Sequence, residues 1–432
     1  MNSYILEGGC CLRGKIRISG SKNAALPILA ATVLLGGKYR IENVPLIEDI
    51  LTLLDILRSL GAGVELSDGT VVIDSSTVKI TTATSDEVSK LRGSYYLLGA
   101  LLGRFGHACL KMPGGCNFGC RPIDMHLNGF RQLGAEIAVE GDVVTCSADN
   151  LVGKNIFMDI VSVGATVNLI LAAVKAKGIT VIYNAAKEPH VVDMANFLNA
   201  MGANIHGAGT DIIRIHGRHT LSSSGSYAII PDQIEAGTYM AMAALTGGDI
   251  VLENVIPSHL EAVSAKLREM NVTVTAGEDS VRVRVEPGQE LISTNFVTSP
   301  YPGFPTDMQP QIMVLLSQAK GTGKVTENVW NSRFQYIEDL RSLGAKIVTE
   351  GRSAFVTGTS ELSASAVRAH DLRAGAAMVM AGLVAEGTTE IRNADLIERG
   401  YENFVEKMRS LGAIFEKRPT VAESPAEVGS AV

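Results

Sequence analysis

The sequence is built on a repeat of about 70 residues, and this repeat constrains the fold more than any other feature. Each copy is an apolar helical stretch that ends in Leu-Gly-Ala or a variant of it, usually followed by a short alternating strand. Nearly the whole chain of 432 residues is accounted for by six such copies. Their markers are Gly61, Gly134, Gly202, Asn271, Gly344 and Gly412.

Each copy follows the same order of elements. A helix rich in small residues, such as AALPILAATVLL or AAMVMAGLVA, precedes a strand such as YRIENV or TEIRNA, and an amphipathic helix follows. Helices of Ala and Gly pack closely, so we expect the first helix to be buried and the second to cover the outside. Because the array is too long for one core, it should divide near residue 230 into halves of three units, with a ligand cleft between them.

Composition and charge exclude several classes of function. The net charge of −7 argues against nucleic-acid binding, and it requires that any anionic ligand meet locally placed Lys and Arg. Charges such as Arg104 and Lys175 interrupt the apolar stretches before about 18 residues, so no membrane span is predicted. The N-terminal sequence lacks a secretory pattern and the six cysteines form no disulfide framework, which predicts a cytoplasmic protein with reduced thiols.

The C-terminal stretch differs from the repeats. Residues 417–432 are rich in Pro, Ala, Ser and Glu and show no period. Such a composition is typical of disordered chain, so we predict a disordered tail there.

Four segments depart from the repeat, and departures are informative because positions that serve only packing should look alike in every copy. The first is SGSKNAALP, where Lys22 and Asn23 stand just before a buried helix. A cation beside free helix N–H groups can bind an anion, but a surface Lys next to a helix cap would give the same pattern.

The second segment, PGGCNFGCRPIDMH at 113–126, is a glycine-rich loop that carries Cys116 close to Arg121. A nearby guanidinium favours the thiolate, so Cys116 can serve as a nucleophile or a proton donor. A metal site with Cys120 and His126 is disfavoured, because the spacing differs from common zinc sites and no second pair is present. A loop thiol without function also fits these residues.

The third segment, SPYPGFPTDMQPQ at 299–311, places Asp307 at the start of another small-residue helix. A carboxylate there is usually a helix cap, and the segment alone favours that interpretation. The alternative is a general base that takes a proton from a substrate hydroxyl.

The fourth group of segments contributes Arg333, Asp371, Arg373 and Arg399. Any one of these arginines can simply pair with a neighbouring acid. Together with Arg92 and the basic residues of the earlier segments, they suit a ligand with several phosphates or carboxylates. Glycine-rich nucleotide loops do not account for this charge, because GTGKVT at 321–326 lacks the Ser or Thr of a P-loop and no G-x-G-x-x-G opens a helix.

These segments closely resemble one known family. The motifs of the UDP-N-acetylglucosamine 1-carboxyvinyltransferases are similar to GSKNAALPILAA, LRGSYYLLGALLGRFG, MPGGCNFGCRPIDMH, VSVGATVN, NAAKEPHVVDMANFL, FPTDMQPQ, HDLRAG and ERGYEN. The resemblance covers residues 1–416, and its most specific element is the PGGC loop joined to RPID. The sister enolpyruvyl transferases that act on shikimate 3-phosphate share the fold but lack that loop and the KNA motif.

The resemblance implies an α/β fold, namely a two-domain inside-out α/β barrel built from six βαβαββ repeats. This agrees with the six copies found in the sequence. It places one domain at 22–230 and the other at 1–21 plus 231–418, which leaves 419–432 as a disordered tail. The PGGC loop is implied to close over the substrates as a lid.

The activity implied by the resemblance is transfer of the enolpyruvyl group of phosphoenolpyruvate to the 3-hydroxyl of UDP-N-acetylglucosamine, with release of phosphate. This is the first committed step of peptidoglycan synthesis and runs by addition and then elimination, with no cofactor or metal. By resemblance, Cys116 is the acid and the residue that fosfomycin modifies, and Asp307 deprotonates the sugar hydroxyl. Lys22 and Arg399 complete the implied catalytic set.

The resemblance also implies which residues line the substrate sites. Phosphoenolpyruvate is implied to bind Lys22, Arg121 and Arg399, with support from Arg373. The nucleotide sugar is implied to contact Asn23, Arg92, Arg121, Pro122, Ile123, Asp124, Met125, Ser162, Val163, Gly164, Asp307 and Val329. The closed cleft is implied to be lined by Arg333, Asp371 and Leu372.

Two positions depart from the family pattern. Gln233 stands where many relatives have Arg, and Ile160 stands where some have Lys, so we expect altered affinity rather than lost chemistry. The alternative functions are a catalytically silent paralogue that binds UDP-sugar and an enolpyruvyl transferase with another acceptor, such as shikimate 3-phosphate. Assembly into a homo-oligomer is left open.

Overall fold

The computed structural model describes residues 2–112, 123–218, 220–359 and 361–419. The strands in these ranges are β1 (Asn2–Glu7), β2 (Arg13–Arg17), β3 (Lys38–Glu42), β4 (Gly63–Ser67), β5 (Thr70–Asp74), β6 (Thr82–Ala83), β7 (His107–Lys111), β8 (Glu136–Glu140), β9 (Val143–Ser147), β10 (Asn155–Phe157), β11 (Ile179–Tyr183), β12 (Asn204–His206), β13 (Ile212–His216), β14 (Ser224–Ala228), β15 (Asp249–Glu253), β16 (Thr273–Ala276), β17 (Ser280–Arg284), β18 (Phe296–Val297), β19 (Thr322–Thr326), β20 (Lys346–Glu350), β21 (Ser353–Thr357), β22 (Ala366–Arg368), β23 (Thr388–Arg392) and β24 (Phe415–Pro419).

The helices lie between these strands. They are α1 (Lys22–Leu35), α2 (Glu48–Ser59), α3 (Asp86–Lys90), α4 (Tyr96–Phe105), α5 (Asp124–Gln132), α6 (Val163–Ala173), α7 (Pro189–Ala200), α8 (Gln233–Leu245), α9 (Glu261–Glu269), α10 (Gln309–Gln318), α11 (Ile337–Ser342), α12 (Leu372–Val384), α13 (Asp395–Glu398) and α14 (Phe404–Ser410). Short 3-10 turns at Arg92–Tyr95, Pro257–Leu260 and Thr306–Met308 precede α4, α9 and α10. None of the helices in the described ranges is both long and apolar enough to cross a membrane.

The strands form six four-stranded sheets with one shared topology. Three have the orders β14-β3-β5-β4, β6-β7-β9-β8 and β10-β11-β13-β12, and three have the orders β16-β17-β15-β2, β18-β19-β21-β20 and β22-β23-β1-β24. Every sheet has one parallel pair at one edge and two antiparallel pairs beside it. A parallel pair needs a helical crossover and an antiparallel pair only a tight turn. Three of the sheets are contiguous βαβαββ units, and the other three have the same pairing but take one strand, β14, β2 or β1, from a distant part of the chain. The six-copy interpretation is confirmed.

The residues that mark the repeat serve one structural purpose. Each follows the outer helix of its unit and has a positive backbone φ, from 69° at Asn271 to 106° at Gly344. Glycine adopts this left-handed conformation without steric cost, and Asn tolerates it better than most residues. The recurring marker is therefore the left-handed residue that directly follows the C-cap of the outer helix.

The described residues form two hydrophobic cores with the small-residue helices at their centres. One core draws on residues between 24 and 229, and the other on residues between 4 and 18 and between 234 and 415. In the first core α1, α4 and α6 contact one another, and in the second α8, α10 and α12 do so. Because the helices are central and the sheets peripheral, the inside-out architecture is confirmed.

The chain passes between the cores twice, at neighbouring positions. Gly20 and Pro231 form an isolated antiparallel bridge there. Ser21 N donates to the carbonyl of Ile230 at 2.8 Å, and Asp232 N donates to the carbonyl of Ser19 at 2.9 Å. We propose the domain boundaries at these crossings, close to residues 22 and 230.

The prediction for the C-terminal tail is wrong at its beginning. Residues 417–419 belong to β24, which pairs with β1 so that Pro419 lies opposite Asn2. The unpaired edge of β1 explains this, because backbone pairing stabilises a strand whose side chains show no pattern. The last marker, Gly412, is therefore followed by a strand as the other five are. Residues 420–432 lie outside the described ranges.

Candidate active site

Lys22 is the first residue of α1, and both its amide and its side chain have partners. The helix begins there because Ser21 Oγ caps it. Lys22 N donates to Asp232 Oδ2 at 3.2 Å, and Asp232 also caps α8. Lys22 Nζ lies 3.2 Å from Asp49 Oδ2, in a buried contact. The first turns of one inner helix from each core therefore meet beside Lys22.

Asp49 joins Lys22 to Arg399. Arg399 Nε donates to Asp49 Oδ1 at 2.8 Å, and its Nη2 donates to the carbonyl of Lys90 at 3.3 Å. Burial on its own raises the pKa of Asp49, but the charges and hydrogen bonds of Lys22 and Arg399 outweigh it and hold that pKa below its usual range. Since Asp49 lies in α2 and Arg399 follows α13, this ion pair connects the two cores.

Asp307 lies in the 3-10 turn before α10, between two arginines. Arg333 Nη2 donates to Asp307 Oδ1 at 2.9 Å, and Arg373 Nε donates to Oδ2 at 3.3 Å. Burial opposes ionisation, but Arg333, Arg373 and more distantly Lys22 hold the pKa of Asp307 far below its usual range. The Asp307 side chain is 32% exposed, whereas each arginine side chain is 3% exposed. The site therefore presents a partly exposed, ionised carboxylate that is held by two buried guanidinium groups.

The helix-cap interpretation of Asp307 is wrong. The N-cap of α10 is Met308, and no side chain caps that helix. Both oxygens of Asp307 are instead bound by arginines that lie 26 and 66 residues along the chain. Both arginines add the attraction of a full positive charge to the hydrogen bond, which a local amide does not, so the distant partners are preferred.

Asp371 does act as a cap. Its carboxylate accepts from Arg373 N at 2.7 Å and from Ala374 N at 3.1 Å, and these are the free amides of the first turn of α12. This cap fixes the turn from which the Arg373 side chain reaches Asp307.

The two carboxylate clusters are neighbours. Gly400 follows Arg399 and packs so closely on α12 that an added Cβ would lie 2.2 Å from Leu372 Cδ1 and 3.5 Å from Arg373 Nη1. A larger residue would therefore displace the Leu372 side chain. Lys22 also contributes to the low pKa of Asp307. The two clusters, each with two cations and one carboxylate, form one cationic region between the cores.

A second group of predicted residues lies at the start of α6. Ser162 caps this helix by accepting from the amide three residues ahead, at 3.3 Å. The first amides of the helix, those of Val163 and Gly164, have no intrahelical acceptor and are suited to an anion. Gly164 is tightly packed, because an added Cβ would lie 2.8 Å from Tyr95 Oη and 2.9 Å from His126 Cε1.

His126 of α5 packs against the start of α6 and contacts Asn168 of that helix. Its Nδ1 lies 2.9 Å from Asn168 Nδ2, and Asn168 Oδ1 accepts from Gly99 N at 2.9 Å. Burial and then the charge of Arg92 lower the pKa of His126 to about 3, so the ring is neutral and its Nδ1 accepts. The Arg92 guanidinium lies 5.9 Å from the centre of the Tyr95 ring. This buried network fixes α5 against α6.

The structure places the other predicted residues as follows. Three of them, Cys116, Arg121 and Pro122, lie outside the described ranges, together with Cys120. The rest stand where helices begin or in one loop: Asn23 in the first turn of α1, Ile123, Asp124 and Met125 at the start of α5, Leu372 at the start of α12, and Val329 in the loop after β19.

Three residues that hold the site together are not among the predicted ones. Asp49 was missed because an acid in the first turn of an amphipathic helix normally interacts with the helix dipole. Thr306 and Glu327 lie beside predicted residues, but their hydrogen bonds span 21 residues of sequence and have no local pattern. The sequence offered one signal for them, which is their position. Thr306 directly precedes Asp307, and Glu327 precedes the loop that contains Val329.

Known proteins are similar to nearly the whole chain. A profile of the EPSP synthase (3-phosphoshikimate 1-carboxyvinyltransferase) family matches residues 6–408. The chain is 51% identical over 415 residues to the UDP-N-acetylglucosamine 1-carboxyvinyltransferase of Clostridium botulinum, covering 96% of this chain and 99% of that one. It is also 51% identical to UDP-N-acetylglucosamine 1-carboxyvinyltransferase 3 of Caldanaerobacter subterraneus, covering 96% and 98%.

Solved structures are similar to the fold over the same length. The enolpyruvyl transferase NikO from Streptomyces tendae superposes with a TM-score of 0.86 at 27% identity, covering 96% of this chain and 99% of that one. EPSP synthase from Acinetobacter baumannii superposes with a TM-score of 0.75 at 20% identity, covering 97% and 100%, and shows the fold alone. The chain therefore belongs to the EPSP synthase (3-phosphoshikimate 1-carboxyvinyltransferase) family and, within it, to the UDP-N-acetylglucosamine 1-carboxyvinyltransferases.

Proposed function

We propose that this chain transfers the enolpyruvyl group of phosphoenolpyruvate to the 3-hydroxyl of UDP-N-acetylglucosamine. In the addition step, carbon 3 of phosphoenolpyruvate gains a proton while the sugar oxygen bonds to carbon 2 and loses its own proton. In the elimination step, carbon 3 gives up a proton and the bond from carbon 2 to the phosphate oxygen breaks. The products are the enol ether of the sugar and inorganic phosphate, so atoms and charges balance.

The reaction needs one acid and one base. Cys116 is the proposed acid toward carbon 3, and Asp307 is the proposed base toward the sugar hydroxyl. The low pKa of Asp307 leaves it ionised, as an acceptor must be. A weak base is sufficient, because a hydroxyl that attacks an electron-poor carbon becomes far more acidic than a free alcohol.

The observation that carries this proposal is the cationic region between the cores. Lys22 and Arg399 share Asp49, and Arg333 and Arg373 share Asp307, so a single carboxylate bridges each pair of cations. Phosphoenolpyruvate carries a phosphate and a carboxylate, which such fixed cations stabilise. We assign phosphoenolpyruvate to Lys22, Arg399 and Arg121, with Arg373 in support.

The start of α6 supports an assignment for the nucleotide. A diphosphate is stabilised at a helix N-terminus by free amides and by the helix dipole. We therefore assign Ser162, Val163 and Gly164 to the diphosphate. The remaining contacts to the nucleotide sugar are assigned to Asn23, Arg92, Arg121, Pro122, Ile123, Asp124, Met125, Asp307 and Val329, with Arg333, Asp371 and Leu372 lining the closed cleft.

Phosphate release tests the proposed function. The purified protein is given phosphoenolpyruvate with either UDP-N-acetylglucosamine or shikimate 3-phosphate. Phosphate release with the nucleotide sugar alone supports the proposal. Release with shikimate 3-phosphate would overturn the assignment of UDP-N-acetylglucosamine as the acceptor. Folded protein that binds UDP-N-acetylglucosamine but releases nothing would instead be a silent paralogue.

Asp49→Asn is expected to raise the KM for phosphoenolpyruvate about tenfold, a loss of about 1.4 kcal/mol in binding. Without the carboxylate, Lys22 and Arg399 repel each other and no longer point at one ligand. Steady-state kinetics with varied phosphoenolpyruvate measures the change. The matched control is Asp55→Asn, because Asp55 lies in the same helix but makes only an exposed pair with Arg58. Equal KM values for the two variants would contradict the assignment of Asp49.

Ile160→Lys is expected to tighten UDP-N-acetylglucosamine binding about two- to fivefold at low salt. Ile160 is 64% exposed and lies two residues before Ser162, so a Lys there adds positive charge at the proposed diphosphate site. Calorimetry at two salt concentrations measures the gain, which should shrink as salt screens the charge. Ile179→Lys is the control, since Ile179 is exposed but lies past the opposite end of α6. An equal gain in both variants would refute a local effect.

Three further proposals follow from membership of the family. Fosfomycin is proposed to modify Cys116 covalently. The reaction is proposed to take place in the cytoplasm. Assembly into a homo-oligomer is a proposal that light scattering of the purified protein tests directly, because it reports molar mass.

A further inference from the structure

Glu327 is a buried carboxylate whose hydrogen bonds reach two segments of the candidate site. It follows β19 and is 1% exposed. Its Oε1 accepts from Thr298 Oγ1 at 2.9 Å, from Val329 N at 2.8 Å and from Trp330 N at 3.0 Å. Its Oε2 accepts from Thr306 Oγ1 at 2.9 Å. One side chain therefore shapes both the Val329 loop and the turn that carries Asp307.

The Thr306 hydroxyl connects Glu327 to Asp307. The guanidinium of Arg333 can only donate, and its Nη1 lies 3.2 Å from Thr306 Oγ1. Thr306 must therefore accept from Arg333 and give its single proton to Glu327. Arg333 Nη2 donates to Asp307 Oδ1 at 2.9 Å. In the chain of hydrogen bonds between Asp307 and Glu327, the donor and the acceptor of each bond are therefore fixed: Arg333 donates to Asp307 and to Thr306, and Thr306 donates to Glu327.

We propose that Glu327 is a positioning residue for enolpyruvyl transfer. Through Thr306 it holds the Arg333 guanidinium within hydrogen-bonding distance of Asp307. Through two backbone amides it holds the loop that contains Val329. This inference rests on the proposed function, because it assigns Asp307 and Val329 to the acceptor sugar. Glu327 itself is too deeply buried to touch a substrate.

Glu327→Gln separates the polarity of the side chain from its shape. If the amide oxygen keeps Thr298 and the two backbone amides, the amide nitrogen faces Thr306 and donates to it. Thr306 then accepts from this amide nitrogen as well as from Arg333, and its own proton loses the acceptor that Glu327 provided. A buried mismatch of this kind displaces Arg333 from Asp307 while the volume of the core stays unchanged.

The kinetic test compares three variants with wild type in the phosphate-release assay. Glu327→Gln should lower kcat about 10- to 100-fold, the cost of a small misplacement at a reacting group, and should raise the KM for UDP-N-acetylglucosamine. Thr306→Val should lower kcat by a similar factor. Its effect on that KM should be smaller, because the Glu327 carboxylate still accepts from the amides of the Val329 loop. Thr306→Ser should recover most of the kcat that Thr306→Val loses.

The double variant Glu327→Gln/Thr306→Val decides whether the two residues act as one unit. Its loss in kcat should be close to that of the worse single variant, whereas independent roles would multiply the two losses. Glu350→Gln is the matched control, because it is the same substitution at an exposed position on β20. Multiplied losses, no rescue by Ser, or wild-type kinetics in Glu327→Gln would each overturn the proposal.

A crystal structure of Glu327→Gln keeps this inference separate from the proposed function. We expect Arg333 Nη2 to lie beyond hydrogen-bonding distance from Asp307 Oδ1, and to remain bonded in Glu350→Gln. If wild type shows no transfer at all but Arg333 moves as expected, the proposed function fails and the positioning role stands. If wild type is active and Arg333 stays in place, the positioning role fails alone.

Discussion

Asp307→Asn is expected to lower kcat for enolpyruvyl transfer at least about 100-fold, because a general base contributes about 100- to 10,000-fold to a rate. The amide cannot take the proton of the sugar hydroxyl, and it presents an N–H where Arg333 and Arg373 require an acceptor. Single-turnover measurement with saturating substrates isolates the chemical step from product release.

Folding and binding controls give this result its meaning. Asp279→Asn is the matched control, since Asp279 lies on the exposed surface of the same core. Calorimetry should show that Asp307→Asn still binds UDP-N-acetylglucosamine, because the proposed diphosphate site on α6 is untouched. A kcat within threefold of wild type in the folded variant would remove Asp307 from the role of base.

The pH dependence of Asp307 follows from the direction of its pKa shift. Its pKa in the folded protein lies below the unfolded value, so its ion pairs contribute stability above the unfolded pKa of about 3.9. That contribution is lost as pH falls through the folded value. Asp307 therefore stays ionised throughout any neutral assay, and a fall of kcat on mild acidification must come from another group.

The repeat and its fold could be predicted because their signals are local. A left-handed residue after an outer helix, such as Gly61 or Asn271, is specified by the few residues around it. The burial of α1 follows from its small residues in the same way. The exception is β24, whose residues 417–419 look disordered and are fixed only by the edge of β1.

The site was less predictable because its contacts are not local. Arg399 and Asp49 are 350 residues apart, and no pattern within a helix or a turn indicates that they pair. For Asp307 the local pattern pointed to a helix cap, and two arginines from other segments overrode it. Resemblance supplied the residues proposed to touch substrates, but not Glu327, which acts through Thr306.

Cys116→Asp is expected to keep turnover and to resist fosfomycin, whereas Cys116→Ala should lose at least about 100-fold in kcat. Cys116 lies outside the described residues, so the argument is chemical. A carboxylic acid can give a proton to carbon 3 as a thiol can, but alanine has no proton to give. Opening an epoxide is different, because the attacking atom must form a bond to carbon as the carbon–oxygen bond breaks and the oxygen takes up a proton. A thiolate does this far more readily than a carboxylate.

Mass spectrometry after incubation with fosfomycin should find the adduct on Cys116 in wild type and no adduct on Cys116→Asp. Cys11→Ser is the control, because Cys11 is an exposed thiol with Arg13 Nε 3.4 Å from its sulfur. That variant should be inactivated as fast as wild type. Phosphoenolpyruvate in excess should slow inactivation, since a phosphonate epoxide would compete for the same Lys22 and Arg399 cations. Modification at Cys11 instead, or full inhibition of Cys116→Asp, would show that the reactive thiol is not the one that faces phosphoenolpyruvate.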